Sequence, residues 1–220
     1  TYTPTLFIPS DKNTGYFDIQ ENPVKPIEFN TIGDAKDFVK KYEEVDGMTI
    51  YGYDRFAYTY IYENYKNIQP DTSKIHIVGL DIEVASDDGF PEPDKAEKEV
   101  VSITMRRGNM TIVIGCGDFV SPNKNVYYLK CDDEVALLRK FLKAWEGLEV
   151  DVLTGWNTEF FDVPYLVNRI NKLLGEEHSK RLSPWGKLRE YTMTMGTKKN
   201  QGYDIYGIEH LDYLAVYKKF

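Results

Sequence analysis

Asp81 and Glu83 stand two residues apart in the stretch Ile75 to Ser86, IHIVGLDIEVAS, and Asp162 follows in TGWNTEFFDVPY. Carboxylates in such a pattern suit one kind of chemistry, the holding of hard divalent cations by oxygen ligands. Ile75, Ile77, Val78, Leu80, Ile82 and Val84 mark the first stretch as a β-strand. A near-continuous apolar run of this kind predicts a strand buried on both faces, in a sheet covered by helices. Residues two apart on a strand share a face, so both carboxylates point the same way. Buried without a partner they would repel, and each would raise the other's pKa. A bound cation removes that conflict. A strand end that reaches water removes it too, and an Asp-x-Glu pair by itself favours that plainer reading.

Asp162 falls at a strand-to-helix junction, where the helix dipole and unpaired N–H groups stabilise negative charge. A helix-terminal Asp can do that and nothing more. With Asp81 and Glu83 on a neighbouring strand, however, it would gather three carboxylates at one sheet edge. That is most of a two-metal site, whose ions lie roughly 3.5–4 Å apart and clamp both oxygens of a phosphoryl transfer. Asn157, five residues before Asp162, adds a polar side chain at the strand end.

The elements that must place these groups follow from local pattern. Residues 1–73 read as a small α+β unit. It has strands at Leu6 to Ile8 and in YFDIQ, a break at Pro23 and Pro26, and a helix from Asn30 or Thr31 to Val45. Seven aromatics (Tyr51, Tyr53, Phe56, Tyr58, Tyr60, Tyr62 and Tyr65) then recur every two or three residues. Such spacing suits strand packing or a stacking platform for single-stranded nucleic acid, and packing is the expectation. NIQPDTS reads as a linker, and residues 74–220 form the second unit. There the carboxylate strand leads into a loop, Asp87 to Lys95. VVSITMRR and NMTIVIG read as paired strands, with a further strand at NVYYLK. A helix capped by Asp132 or Asp133 presents Val135, Leu138, Leu142 and Trp145. The strand VDVLTGW follows, then a helix with Pro164 in its first turn and an end at Gly175. HSKRLSPWGKLRE reads as a basic loop, and the last residues as a strand and a helix start. The whole is a mixed sheet with helices on its faces.

The 220 residues carry a net charge of −8, which argues against a general electrostatic grip on nucleic acid. The distribution is uneven. Residues 76–162 hold 9 basic against 17 acidic side chains, whereas residues 163–220 hold 10 against 6. An acidic centre beside a basic flank suits a metal site that also holds a phosphate backbone, and it equally suits a solvated surface. No apolar run approaches the roughly 20 residues of a membrane helix. Cys116 and Cys131 have no zinc-site neighbours and are expected as free thiols.

GLDIEV, GFPEP, TGWNTEFFDVPY, NRI, KRLSP and GIEHLDYLAVYKKF occur in that order. Together they resemble the 3′–5′ proofreading exonuclease domain of family B DNA polymerases, above all those of large T-even-type tailed phages. The likeness covers about Ile75 to Phe220 and is fainter before it. It implies a ribonuclease H-like α/β fold with a mixed sheet, preceded by the small α+β domain and truncated at its C-terminus. It implies that Asp81, Glu83 and Asp162 are catalytic and bind two divalent ions, Mg²⁺ or Mn²⁺. Asn157 and Phe161 would belong to the second motif, and Phe90 would pack against the terminal base. Arg169, Lys180, Arg181, Lys187 and Arg189 offer phosphate contacts or a solvated basic surface, and Phe90, Asn157, Phe161 and Arg181 are taken as the DNA-binding candidates. The implied reaction hydrolyses the 3′-terminal phosphodiester and releases a nucleoside monophosphate. The implied partners are the single-stranded 3′ end of DNA and the remainder of the polymerase (palm, fingers and thumb), with no membrane. The implied setting is the cytoplasm of a phage-infected or bacterial host cell.

The family completes its site with a Tyr-x-x-x-Asp motif, and none follows Asp162 here. The chain is therefore expected to be part of a longer or split polymerase. Asp212 is either a stand-in ligand or a cap on the last helix. A catalytically silent nucleic-acid or protein-interaction module with the same fold is the alternative function.

Overall fold

A computed structural model describes residues 2–86, 89–195 and 198–219. The chain divides into two compact units, Thr1–Pro70 and Asp71–Phe220.

In the first unit, β1 (Thr5–Pro9), β2 (Tyr16–Phe17) and β3 (Pro23–Glu28) form an antiparallel sheet in the order β1-β3-β2. Pro23 and Pro26, expected to break the chain, lie in the middle strand instead. Pro26 pairs with Phe7, whose own N–H and C=O bond to Tyr51 on the other side. The ladder therefore asks no N–H of Pro26 toward β1, and β2 reaches only Val24 and Pro23. Helix α1 (Ile32–Tyr42) starts at a capping box in which Thr31 and Asp34 satisfy each other's backbone N–H groups. It ends three residues before Val45. The aromatic stretch corrects a second expectation. Its centre is helix α2 (Phe56–Asn64), not a strand, and only Phe56 is buried there. Phe56 joins Leu6 and Ala35 in a small core. The remaining rings touch one another, as in Tyr53 with Tyr58 and Tyr60 with Tyr65.

The second unit is built on β4 (Ile77–Val84), β5 (Val100–Arg107), β6 (Met110–Gly115), β7 (Val126–Lys130), β8 (Val152–Gly155) and β11 (Glu209–Asp212). Their order is β11-β8-β4-β5-β6-β7. β4 runs parallel to β8 and antiparallel to β5, and β8 runs parallel to β11. Helix α3 (Glu134–Gly147) is capped by Asp133, and helix α4 (Asp162–Leu173) follows β8. Short helix α5 (Glu176–Ser179) precedes the hairpin of β9 (Leu188–Met195) and β10 (Lys198–Ile205), and α6 (Tyr213–Lys219) follows β11.

Val78, Leu80, Ile82, Ile103, Met105, Leu138, Phe141, Leu142, Leu153, Leu166 and Ile170 form the main core. Full burial of each such side chain contributes on the order of 1.5–3 kcal/mol. Val135, expected on the inner face of α3, is 36% exposed, and Leu137 takes that place. β4 is not buried on both faces. Val78, Leu80 and Ile82 are buried, while Ile77, Asp81 and Glu83 are exposed. The run of β-branched residues concealed this alternation. The β9–β10 hairpin differs from the sequence reading, which carries the basic loop to Glu190, three residues into β9. Gly196 and Thr197, between β9 and β10, and Asp87 and Asp88, after β4, lie outside the described residues.

Gly155 ends β8 against β4. A Cβ there would lie 2.4 Å from Thr158 Cγ2 and 2.6 Å from Leu80 O. Backbone cannot retreat as a flexible side chain does, so Gly155→Ala is expected to lower stability by about 1–3 kcal/mol. Urea unfolding measures this, and an unchanged midpoint would show that the strand end shifts at no cost.

Candidate functional site

β4 carries Asp81 and Glu83 on its exposed face, opposite Thr104 and Ser102 of β5. Asp162 opens α4 and is 3% exposed. Its Oδ1 accepts a hydrogen bond from the Ile82 N–H at 2.9 Å, which fastens the start of α4 to the centre of β4. Burial pushes the Asp162 carboxyl up to about 7, the Ile82 N–H opposes that rise, and the charge of Asp81 adds to it. Asp162 is thus close enough to the strand carboxylates to feel them, and dry enough to retain a proton near neutrality.

Asp81, Glu83, Phe90, Asn157, Phe161 and Asp162 line one cleft of about 480 Å³. The Phe90 and Phe161 rings lie 5.4 Å apart. Phe90 is 82% exposed, so its face is open to a stacking partner. Asn157 has a left-handed backbone (φ 61°), at a sharp turn where β8 gives way to α4.

Among the described residues no three His, Cys, Asp or Glu side chains stand close enough together to seat one ion. The donor set nevertheless fits a hard cation: three carboxylates, no sulfur and no imidazole. Asp162 supplies the further indication, since a proton held near neutral pH is what a cation displaces from a ligand.

Arg181 is placed elsewhere. It lines a separate cavity with Trp145, Glu149 and Pro184. Its guanidinium bonds the Glu146 carboxylate through Nε at 2.7 Å and Nη2 at 2.8 Å. Arg169, expected as a phosphate contact or a solvated charge, is neither. It is 9% exposed and ion-paired to Glu134 at 2.6 Å. Lys180 pairs with Glu177, and Arg189 with Asp204. Of the five basic candidates named from the sequence, Arg169, Lys180, Arg181 and Arg189 are thus ion-paired within the fold.

Asp212 is a cap. One oxygen accepts from the Leu214 N–H at 2.8 Å and from the Asn157 N–H at 3.0 Å, and the other from the Glu159 N–H at 2.9 Å. A carboxylate so engaged holds the loop between β8 and α4 in place, and its oxygens are committed to backbone. Tyr191 of β9 braces the same loop by donating to Glu159 Oε1 at 2.6 Å. Burial and that carboxylate raise the Tyr191 pKa. Nothing in the sequence spacing pointed to either brace, because each joins residues more than 30 positions apart.

The family model for the exonuclease domain of DNA polymerase family B matches residues 55–220, and the chain belongs to that family. Over its full length it is similar to two phage proteins described as DNA-directed DNA polymerases. Identity is 34% with that of Escherichia phage RB69 and 32% with that of Enterobacteria phage T4. The chain spans 28% and 27% of the length of those two proteins. It is also 27% identical, over 45% of its length, to the DNA polymerase catalytic subunit of Alcelaphine herpesvirus 1, of which it covers 10%.

Proposed function

We propose that the chain is the 3′–5′ exonuclease portion of a family B DNA-directed DNA polymerase, trimming the 3′ end of single-stranded DNA. The observation that carries this reading is the convergence of Asp81, Glu83 and Asp162 on one cleft, with Phe90 and Phe161 at its side. The sheet order, with β4 central and β8 and β11 parallel beside it, suits a ribonuclease H-like frame.

Asp81 and Glu83, on a rigid strand, and Asp162, at a helix start, would hold the divalent cations, Mg²⁺ or Mn²⁺. Bound there, two such ions supply the charge that activates water and steadies the leaving oxygen. The chain's own groups do the rest. Phe90 stacks on the terminal base, and stacking tolerates every base because each has a π-face. A frayed end reaches such a platform more readily than a paired one, so mismatches are removed without a base code. Asn157 fixes the turn that delivers Phe161 and Asp162. The remaining polymerase domains would be the partner of this unit.

A silent module with the same fold is favoured by one observation, the lack of a preformed three-ligand cluster among the described residues. Mn²⁺ binding, followed by the spectrum of the unbound ion, separates the two readings. The unaltered chain is expected to bind Mn²⁺, and Asp81→Ala to weaken that binding at least tenfold. Slow, Mn²⁺-dependent shortening of a 5′-labelled single strand should fall in parallel. Equal Mn²⁺ binding by both chains would overturn the nuclease reading.

A further inference from the structure

Phe90 lies on a segment that α4 holds by its backbone. We propose that Asn168 is a positioning residue, fixing Phe90 over the cleft by anchoring Pro93 and tying it to the β9–β10 hairpin. The proposal rests on the nuclease reading, in which Phe90 is the base platform.

An 82% exposed ring gains little orientation from packing. Apart from its tilted contact with Phe161, its direction comes from the chain that carries it. That chain closes at its base, where the Ala85 N–H bonds the Glu99 carbonyl at 2.9 Å. One face of α4 then grips the returning limb. The Tyr165 hydroxyl accepts from the Lys98 N–H at 3.0 Å and donates to the Lys98 carbonyl at 2.7 Å. Arg169 Nη1 donates to the carbonyls of Ala96 and Glu97. Asn168 reaches furthest toward the cleft: its Nδ2 donates to the Pro93 carbonyl at 2.8 Å, three residues from Phe90.

The Asn168 amide is itself held on both sides. Nδ2 also donates to Gln201 Oε1 at 2.8 Å, and Oδ1 accepts from the Tyr203 hydroxyl at 2.8 Å. Both partners belong to β10. An amide satisfied at each end is locked in one orientation, so it transmits position instead of merely filling space. Its hydrogen-bond partners are not among the residues that line the cleft, so it acts on Phe90 through Pro93. Removing it should loosen the platform and leave the cation ligands unchanged.

The test uses a short single-stranded oligodeoxynucleotide with 2-aminopurine at its 3′ end, in Ca²⁺ to hold hydrolysis silent. Stacking on the protein changes the probe's fluorescence. The unaltered chain is expected to give a saturable change, and Phe90→Ala to abolish it. Asn168→Ala should weaken the apparent Kd about three- to tenfold, and Tyr203→Phe, which removes one hydroxyl from the network, less. In a Phe90→Ala background, with residual binding followed by the anisotropy of a 5′-fluorescein label, Asn168→Ala should add no further loss, whereas a general structural defect would lower binding equally in both backgrounds. Thermal midpoints within a few degrees of the unaltered chain verify folding. An Asn168→Ala chain that binds like the unaltered one, or equal losses in both backgrounds, overturns the positioning role alone. No fluorescence change with the unaltered chain overturns the base platform, and the positioning role with it.

Discussion

Asp162→Asn is expected to raise the stability of the metal-free chain most at about pH 8.5, by roughly half as much at about pH 5.5, and to change it little below about pH 4. The Asp162 carboxyl, at about 7 in the folded chain, lies well above its ordinary 3.8. The folded state therefore holds a proton that the unfolded state has released. The stabilisation linked to that proton is fully present below about pH 4 and is lost as pH rises through about 7. Above that, the fold carries a buried negative charge beside Asp81. At about 1.36 kcal/mol per pKa unit the cost is at most slightly above ~4 kcal/mol, and local relaxation brings it to about 2–4 kcal/mol. Asn keeps an oxygen for the Ile82 N–H and avoids the charge. Urea unfolding of both chains in a chelator, across that pH range, measures the difference. Millimolar Mg²⁺ should restore the unaltered chain at high pH and leave Asp162→Asn unmoved. Parallel pH profiles for the two chains would show that Asp162 ionises without penalty.

Glu134→Ala should cost about 3–5 kcal/mol, because it strands a buried guanidinium. Arg169 and Glu134 are 9% and 8% exposed, and the pair is bidentate. Glu134 Oε1 also accepts from the Val100 N–H at 2.8 Å. The single change therefore leaves a buried charge with only the Ala96 and Glu97 carbonyls and no counter-ion, and a backbone donor without its acceptor. Replacing both members, as Glu134→Leu with Arg169→Met, should recover much of the loss, since apolar residues of similar volume fill the space without a charge to satisfy. Denaturant midpoints of the two single variants and the double variant form the cycle. A single-variant loss no larger than the ~1 kcal/mol of an exposed pair would show that water reaches the guanidinium.

Where the sequence was informative, local rules sufficed. The Asp133 cap, the Gly175 stop and the apolar stripe of α4 depend on neighbours within a few residues. The order of family-like segments located Asp81, Glu83 and Asp162 along the chain. What escaped was set at longer range. β4 reads as apolar throughout, and only pairing and helix placement decide that Ile77 faces outward. Helix α2 carries rings at strand-like spacing, and its contact with Leu6 and Ala35 made it a helix. Arg169 looks like any surface arginine until Glu134, 35 positions earlier, is found beside it. The supporting bonds around the cleft, from Asp212, Tyr191 and Asn168, leave no periodic trace.

The Asp212 cap also bears on biosynthesis. A single carboxylate near the end of the described chain secures the turn at Asn157 and Glu159, more than 50 positions upstream. A nascent polypeptide still lacking that carboxylate already contains Asp81, Glu83 and Asp162, but the turn before Asp162 then has only the Tyr191 brace on Glu159. Those three carboxylates are thus translated well before the cap that steadies the turn ahead of Asp162, so the cleft takes its final shape only after Asp212 has joined the fold.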